Sequence, residues 1–98
     1  MTKERKHHME MRNLNSPRSG NPVKNQFVLA TKDGEIFKSY QSNIALRTWD
    51  GDVLLDPNYW DYSVTTLKYL KVFLGINASK SDIQKMIDDG TYKTSNLN

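Results

Sequence analysis

Apolar positions are sparse over residues 1–25 and then fall into two successive rhythms. The segments QFVLAT (26–31) and EIFKSY (35–40) are rich in β-branched and aromatic residues and flank Asp33-Gly34, a pair suited to a two-residue turn with positive φ. They predict a hairpin. In that register Phe27, Leu29, Ile36 and Tyr40 share one face, and Val28, Ala30 and Phe37 share the other. The two faces are so close in apolarity that alternation leaves open which one meets the helices. By the same reasoning NIALRTW (43–49) and DVLLD (52–56) flank Asp50-Gly51 as a second hairpin. Its register places Ile44, Leu46, Thr48, Val53 and Leu55 on one face and Arg47 and Leu54 on the other. The link Gln41-Ser42 is too short for a crossover, so the strands form an antiparallel meander of four, or three with a weak fourth.

The period then lengthens to that of a helix. Leu67, Leu70 and Leu74 make a stripe widened by Tyr69 and Phe73, while Thr65, Lys68 and Val72 lie on the opposite side. Asp61 or Ser63 supplies the N-cap, and Gly75 ends the helix with Ile76 folding back. A second short helix follows in SKSDIQKMIDDG, where Ser79 and Asp82 form a capping box and Ile83, Met86 and Ile87 form the apolar face up to Gly90. Residues 91–98, TYKTSNLN, read as a polar tail that packs at most Tyr92 and Leu97. The fold class is therefore α+β: a small antiparallel β-meander of three to four strands against two short helices, spanning residues 26–98 as a single domain.

Composition separates the first 25 residues from the rest. They carry Lys3, Arg5, Lys6, Arg12, Arg18 and Lys24 against Glu4 and Glu10, a net +4, whereas residues 26–98 carry a net −1. With Pro17, Gly20 and Pro22 in a Ser/Asn-rich setting, residues 1–25 read as a disordered basic arm. A mean hydropathy of −0.73 agrees with part of the chain lying outside the core. At 98 residues the chain has room for one small core. It contains no cysteine, which excludes disulfides, thiolate nucleophiles and cysteine-based zinc sites and suits an intracellular protein. No apolar run approaches the roughly 20 residues of a bilayer span, and no apolar stretch follows the charged MTKERKHH, so neither a membrane segment nor a secretory signal is expected.

Little in the chain suggests catalysis. His7 and His8, the only histidines, sit side by side in the arm, too few to build a metal centre. Asp56 and Asp61 bracket the aromatic cluster Tyr59, Trp60 and Tyr62 and are the one carboxylate pair placed to face a pocket; a hydrolase built on them ranks third among the readings. The isolated glycines make no phosphate loop. No enzyme activity, cofactor or metal is expected. In the aromatic cluster Trp60 is assigned to the core, leaving Tyr59 and Tyr62 for a partner surface, since exposed aromatics dominate interface energetics.

Four stretches carry a resemblance: NPVKNQFVLAT, FKSYQSNIA, LDPNYWDYSVTTLKYLKVFLG and IDDGTYKTSNLN. Together they resemble a family of short bacteriophage and prophage proteins of uncharacterised function. Its pattern runs Asn-Pro-Val, Asn-Gln-Phe, Ser-Tyr-x-Ser, Tyr-Trp-Asp-Tyr-Ser-x-Thr-Thr, Phe-Leu-Gly and a final Leu-Asn. The likeness covers residues 21–98 and departs from the family pattern at Leu70, Lys71 and Val72 and in the connection after Gly75. It implies a viral origin, the host bacterial cytoplasm and no assigned catalytic residue. The expectation is a phage-encoded, non-catalytic protein that binds a host protein, of the host-takeover or anti-defence type, through Tyr59, Tyr62, Lys68 and Val72. The alternative is a nucleic-acid-binding accessory protein. It would use Lys3, Arg5, Lys6, Arg12, Arg18 and Lys24 of the arm, Lys38, Tyr40 and Arg47 on the strands, and Phe27 and Phe37 as stacking platforms.

Overall fold

The computed structural model describes residues 10–98. Six strands and two helices follow in the order β1 (Glu10–Asn15), β2 (Pro22–Ala30), β3 (Gly34–Ser39), β4 (Ser42–Thr48), β5 (Val53–Leu55), α1 (Val64–Leu74), α2 (Lys80–Asp88) and β6 (Lys93–Thr94). The strands make one sheet in sequence order, antiparallel throughout except for the parallel pair β5–β6. The α+β class and the meander stand, but the sheet has two more strands than the pattern announced.

Both additions come from segments read as tails. β1 and the first half of β2 lie inside the supposed arm, and a register shift between Asn13 and Asn15 turns Leu14 into the core. A strand as polar as Glu10–Asn15 shows no period of two, so it is recognisable only once β2 offers it an edge. At the other end, Leu54 and Leu55 pair with Lys93 and Thr94.

The hairpin registers also differ from the two-residue turns. In the first, Val28 opposes Phe37 and Leu29 opposes Ile36, because the Thr31 amide and hydroxyl both donate to the Gly34 carbonyl and widen the loop. This is a slip of two residues, so every side chain keeps its face. In the second, the Gly51 amide donates to the Thr48 carbonyl and the Thr48 amide to Asp52, leaving a three-residue loop in which Gly51 takes φ +97°. Here the slip is one residue, and the faces reverse. Ala45 pairs with Leu55 and Arg47 with Val53 on the helix side, while Leu46 pairs with Leu54 on the opposite side. Ile44, Leu46, Thr48, Val53 and Leu55 therefore do not share a face. Ile44 escapes the alternation through a bulge in the β3–β4 ladder, so that it and Ala45 are both fully buried.

The helices cover the face that bears Val28, Phe37, Ala45 and Leu55. On α1 the buried stripe is Thr66, Tyr69, Leu70 and Phe73, with Leu67 and Leu74 only partly covered. The Phe73 ring stacks on Phe37 at 5.8 Å. Ser63 caps the first turn by accepting from the Thr66 amide, and Ile76 and Gly75 donate back to Lys71 and Val72 to close the last. α2 has the expected capping box of Ser79 and Asp82 and buries Ile83 completely.

Candidate partner-binding surfaces

The chain leaves β5 through Asp56, whose carboxylate organises the approach to α1. Its Oδ1 accepts from the Asn58 amide at 2.9 Å, and its Oδ2 accepts from the Leu97 amide at 2.9 Å and from Asn98 Nδ2 at 3.0 Å. Burial pushes this carboxyl upward, but the donors from Leu97, Asn58 and Asn98 outweigh it and hold the group below its ordinary value of 3.8. Asp61 pairs instead with Lys80 at 3.4 Å. The two carboxylates thus have separate partners. Each is accounted for by chain geometry.

Between them the aromatic cluster divides, with Trp60 in the core as expected and Tyr59 half-turned to the core beside the exposed Tyr62. Tyr59 packs partly against the core and meets Tyr62 edge-to-face at 5.6 Å, while Tyr62 remains 48% exposed. Val64, in the first turn of α1, is 86% exposed. Helical spacing then continues this outer stripe through Lys68, which sits over the Tyr69 ring, to the partly buried Val72. The structure therefore brings Tyr59 and Tyr62 together, sets Lys68 and Val72 on one side of α1, and adds Val64. An isolated valine at a helix start gives no signal in the sequence; only the position of the core identifies it.

The residues named for nucleic acid divide: Phe27 and Lys38 oppose each other on the face away from the helices, and the other described ones lie elsewhere. Lys3, Arg5, Lys6, His7 and His8 lie outside the described residues. Phe37 is fully buried, and Arg47 faces the helices, donating to the Phe73 carbonyl at 2.8 Å and to Glu35 at 2.9 Å with its guanidinium 4.4 Å from the Phe73 ring. Arg12 faces the same side, 3.7 Å from Glu35. Lys24 is exposed beside Asn25, whose carbonyl accepts from the amide of the exposed Tyr40, Arg18 is exposed in the β1–β2 loop, and Lys38 lies on the face away from the helices.

Three of the segments that carry the resemblance converge inside the protein. Gln26 pairs with Ser39 across β2 and β3, and the Ser39 hydroxyl shares a 2.9 Å hydrogen bond with Thr66 of α1. All three side chains are fully buried, and the Gln26 amide has no hydrogen-bond partner among the described residues. The motif residues therefore include a polar core as well as a surface.

The sequence model described as a family of unknown function (DUF8033) matches residues 9–90. The chain belongs to that family. The DUF8033 match begins one residue before β1 and runs through α2, so it includes the strand that the sequence pattern missed. It agrees with the resemblance at the level of an uncharacterised family. No curated protein and no solved structure matches this DUF8033 chain. Among the described residues no three His, Asp or Glu side chains converge as a metal set, and no helix is long and apolar enough to cross a membrane.

Proposed function

We propose that the protein is a non-catalytic, phage- or prophage-encoded binding protein that acts in the host cytoplasm by occupying a host protein. The observation that carries this reading is the patch at the start of α1, where Tyr62 and Val64 stand exposed beside Tyr59 and Lys68. A tyrosine held by a neighbouring ring loses little entropy on binding, and an exposed valine beside it supplies apolar area that water gives up readily. The sequence resemblance to short bacteriophage proteins supports the viral and host-directed part. The choice of a host enzyme as target, defence nucleases included, rests on analogy with other short phage accessory proteins.

The test uses the full chain as bait in a bacterial lysate, beside a Tyr62→Ala, Val64→Ser double variant whose folding is verified by circular dichroism. A host protein retained by the parent and lost by at least about tenfold with the variant supports the reading. Equal retention of every specific partner by both removes this patch from the argument.

A further inference from the structure

The sheet has a second face, turned away from the helices. One residue from each of the five antiparallel strands, Met11, Leu29, Ile36, Leu46 and Leu54, forms a continuous apolar row across it. Among the described residues no helix packs on this row; Met11 is 61% exposed, while Leu29, Ile36, Leu46 and Leu54 are half-buried. Charge on this side is concentrated towards its two ends along the strand direction, with Lys93 beside Leu54 at the edge of the row. At the end near the Ser39–Ser42 turn lies Lys38, with Lys24 beyond it on β2 and Arg18 farther out in the β1–β2 loop, and no carboxylate in residues 13–26 or 36–43. At the opposite end the two hairpin loops carry Asp33, Asp50 and Asp52, against Lys32 alone.

We propose that two copies of this chain associate open face to open face about a two-fold axis running across the strands. An axis along the strands would lay lysine end on lysine end. An axis across them lays the Lys38 end of each sheet over the aspartate loops of the other copy, while the apolar rows meet near the centre. Aligned twisted sheets pack face to face about 10 Å apart, a spacing that suits interdigitating Leu and Ile. Five strands at about 4.8 Å spacing and six residues at about 3.3 Å rise give each face a flat area of about 400 Å². Side-chain relief enlarges it, so two faces approach the ~1,200 Å² at which specific interfaces begin. Tyr62 and Val64 stay on the helix side in this arrangement, so pairing and host binding succeed or fail separately.

Light scattering and sedimentation on the full chain read the mass directly. The expected result is twice the 11.3 kDa of one chain, with pairing weakened by salt. Leu46→Lys should weaken it by at least about tenfold. Lys38→Glu should also weaken it, and adding Asp50→Lys and Asp52→Lys to the same chain should restore it. If Leu46→Lys fails to fold, the charge exchange alone decides. A single-chain mass at every concentration, or a dimer indifferent to both Leu46→Lys and Lys38→Glu, overturns the proposal. So does a monomer that binds a single-stranded oligonucleotide through Lys38.

Discussion

Asp56 shows how far one residue's role depends on what surrounds it. In the sequence it is one of two carboxylates beside an aromatic cluster, and acid–base chemistry is a reasonable first thought. In the fold it is fully buried and accepts from Asn58, Leu97 and Asn98, so its charge is spent on closing the chain. Replacing it with Ala should destabilise the protein by about 2 to 3 kcal/mol, because donors are left facing an apolar methyl. The pH dependence has a definite sign. The folded-state pKa is lowered from 3.8, so the contribution is present above that value and is lost as pH falls through the folded pKa. Thermal melts of the parent and Asp56→Ala should therefore converge as pH drops below 3.8. A gap that stays constant into that range would assign the effect to packing instead.

At the level of elements, the two Asp-Gly turns look alike in the sequence and behave differently. Gly51 supplies the left-handed residue of a three-residue loop, whereas Gly34 sits at φ +150° with its Cα pressed against β4. A Cβ there would collide with the Arg47 carbonyl oxygen and stand 2.7 Å from Thr48 Cα, both backbone atoms that cannot move aside. Gly34→Ala should cost about 3 kcal/mol or more, read as a lowered denaturation midpoint with an unchanged slope. Gly51→Ala meets nothing within 4 Å and suffers only the backbone strain of about 1 kcal/mol. Caps are the opposite case. Gly75 and the Ser79–Asp82 box were legible and the α1 N-cap was narrowed to Asp61 or Ser63, because each acts within a few residues of its own position.

At the scale of the molecule, distant ends hold the sheet closed. β6 adds to β5, the Ser95 amide donates to Leu55, and Asn98 reaches Asn43 and Asp56 across 55 and 42 residues. Removing residues 95–98 should lower the melting temperature by about 8 °C or more, since about 2 kcal/mol of buried donors to Asp56 go with them and each kcal/mol moves a domain this size by about 4 to 8 °C. A melt within a degree of the parent would show the strands to be self-sufficient. The same scale decides surface character. The one-residue slip at Gly51 put Leu46 and Leu54 together on the face away from the helices and Arg47 with Val53 and Leu55 on the helix side, which both made the open apolar row and tied Arg47 to Glu35 and the end of α1.

By itself the sequence determined the α+β class, the two helices with their caps, the meander order and the burial of Trp60, because periodicity and turn chemistry act over short range. The tertiary structure alone decided which hairpin face became the core, how far each ladder slipped, that Glu10–Asn15 and Lys93–Thr94 are strands, and that Gln26, Ser39 and Thr66 meet. Those outcomes rest on pairings between segments far apart in the chain. A polar strand carries no periodic mark of its own, and a register is fixed only when both partners and the loop between them compete for the same hydrogen bonds.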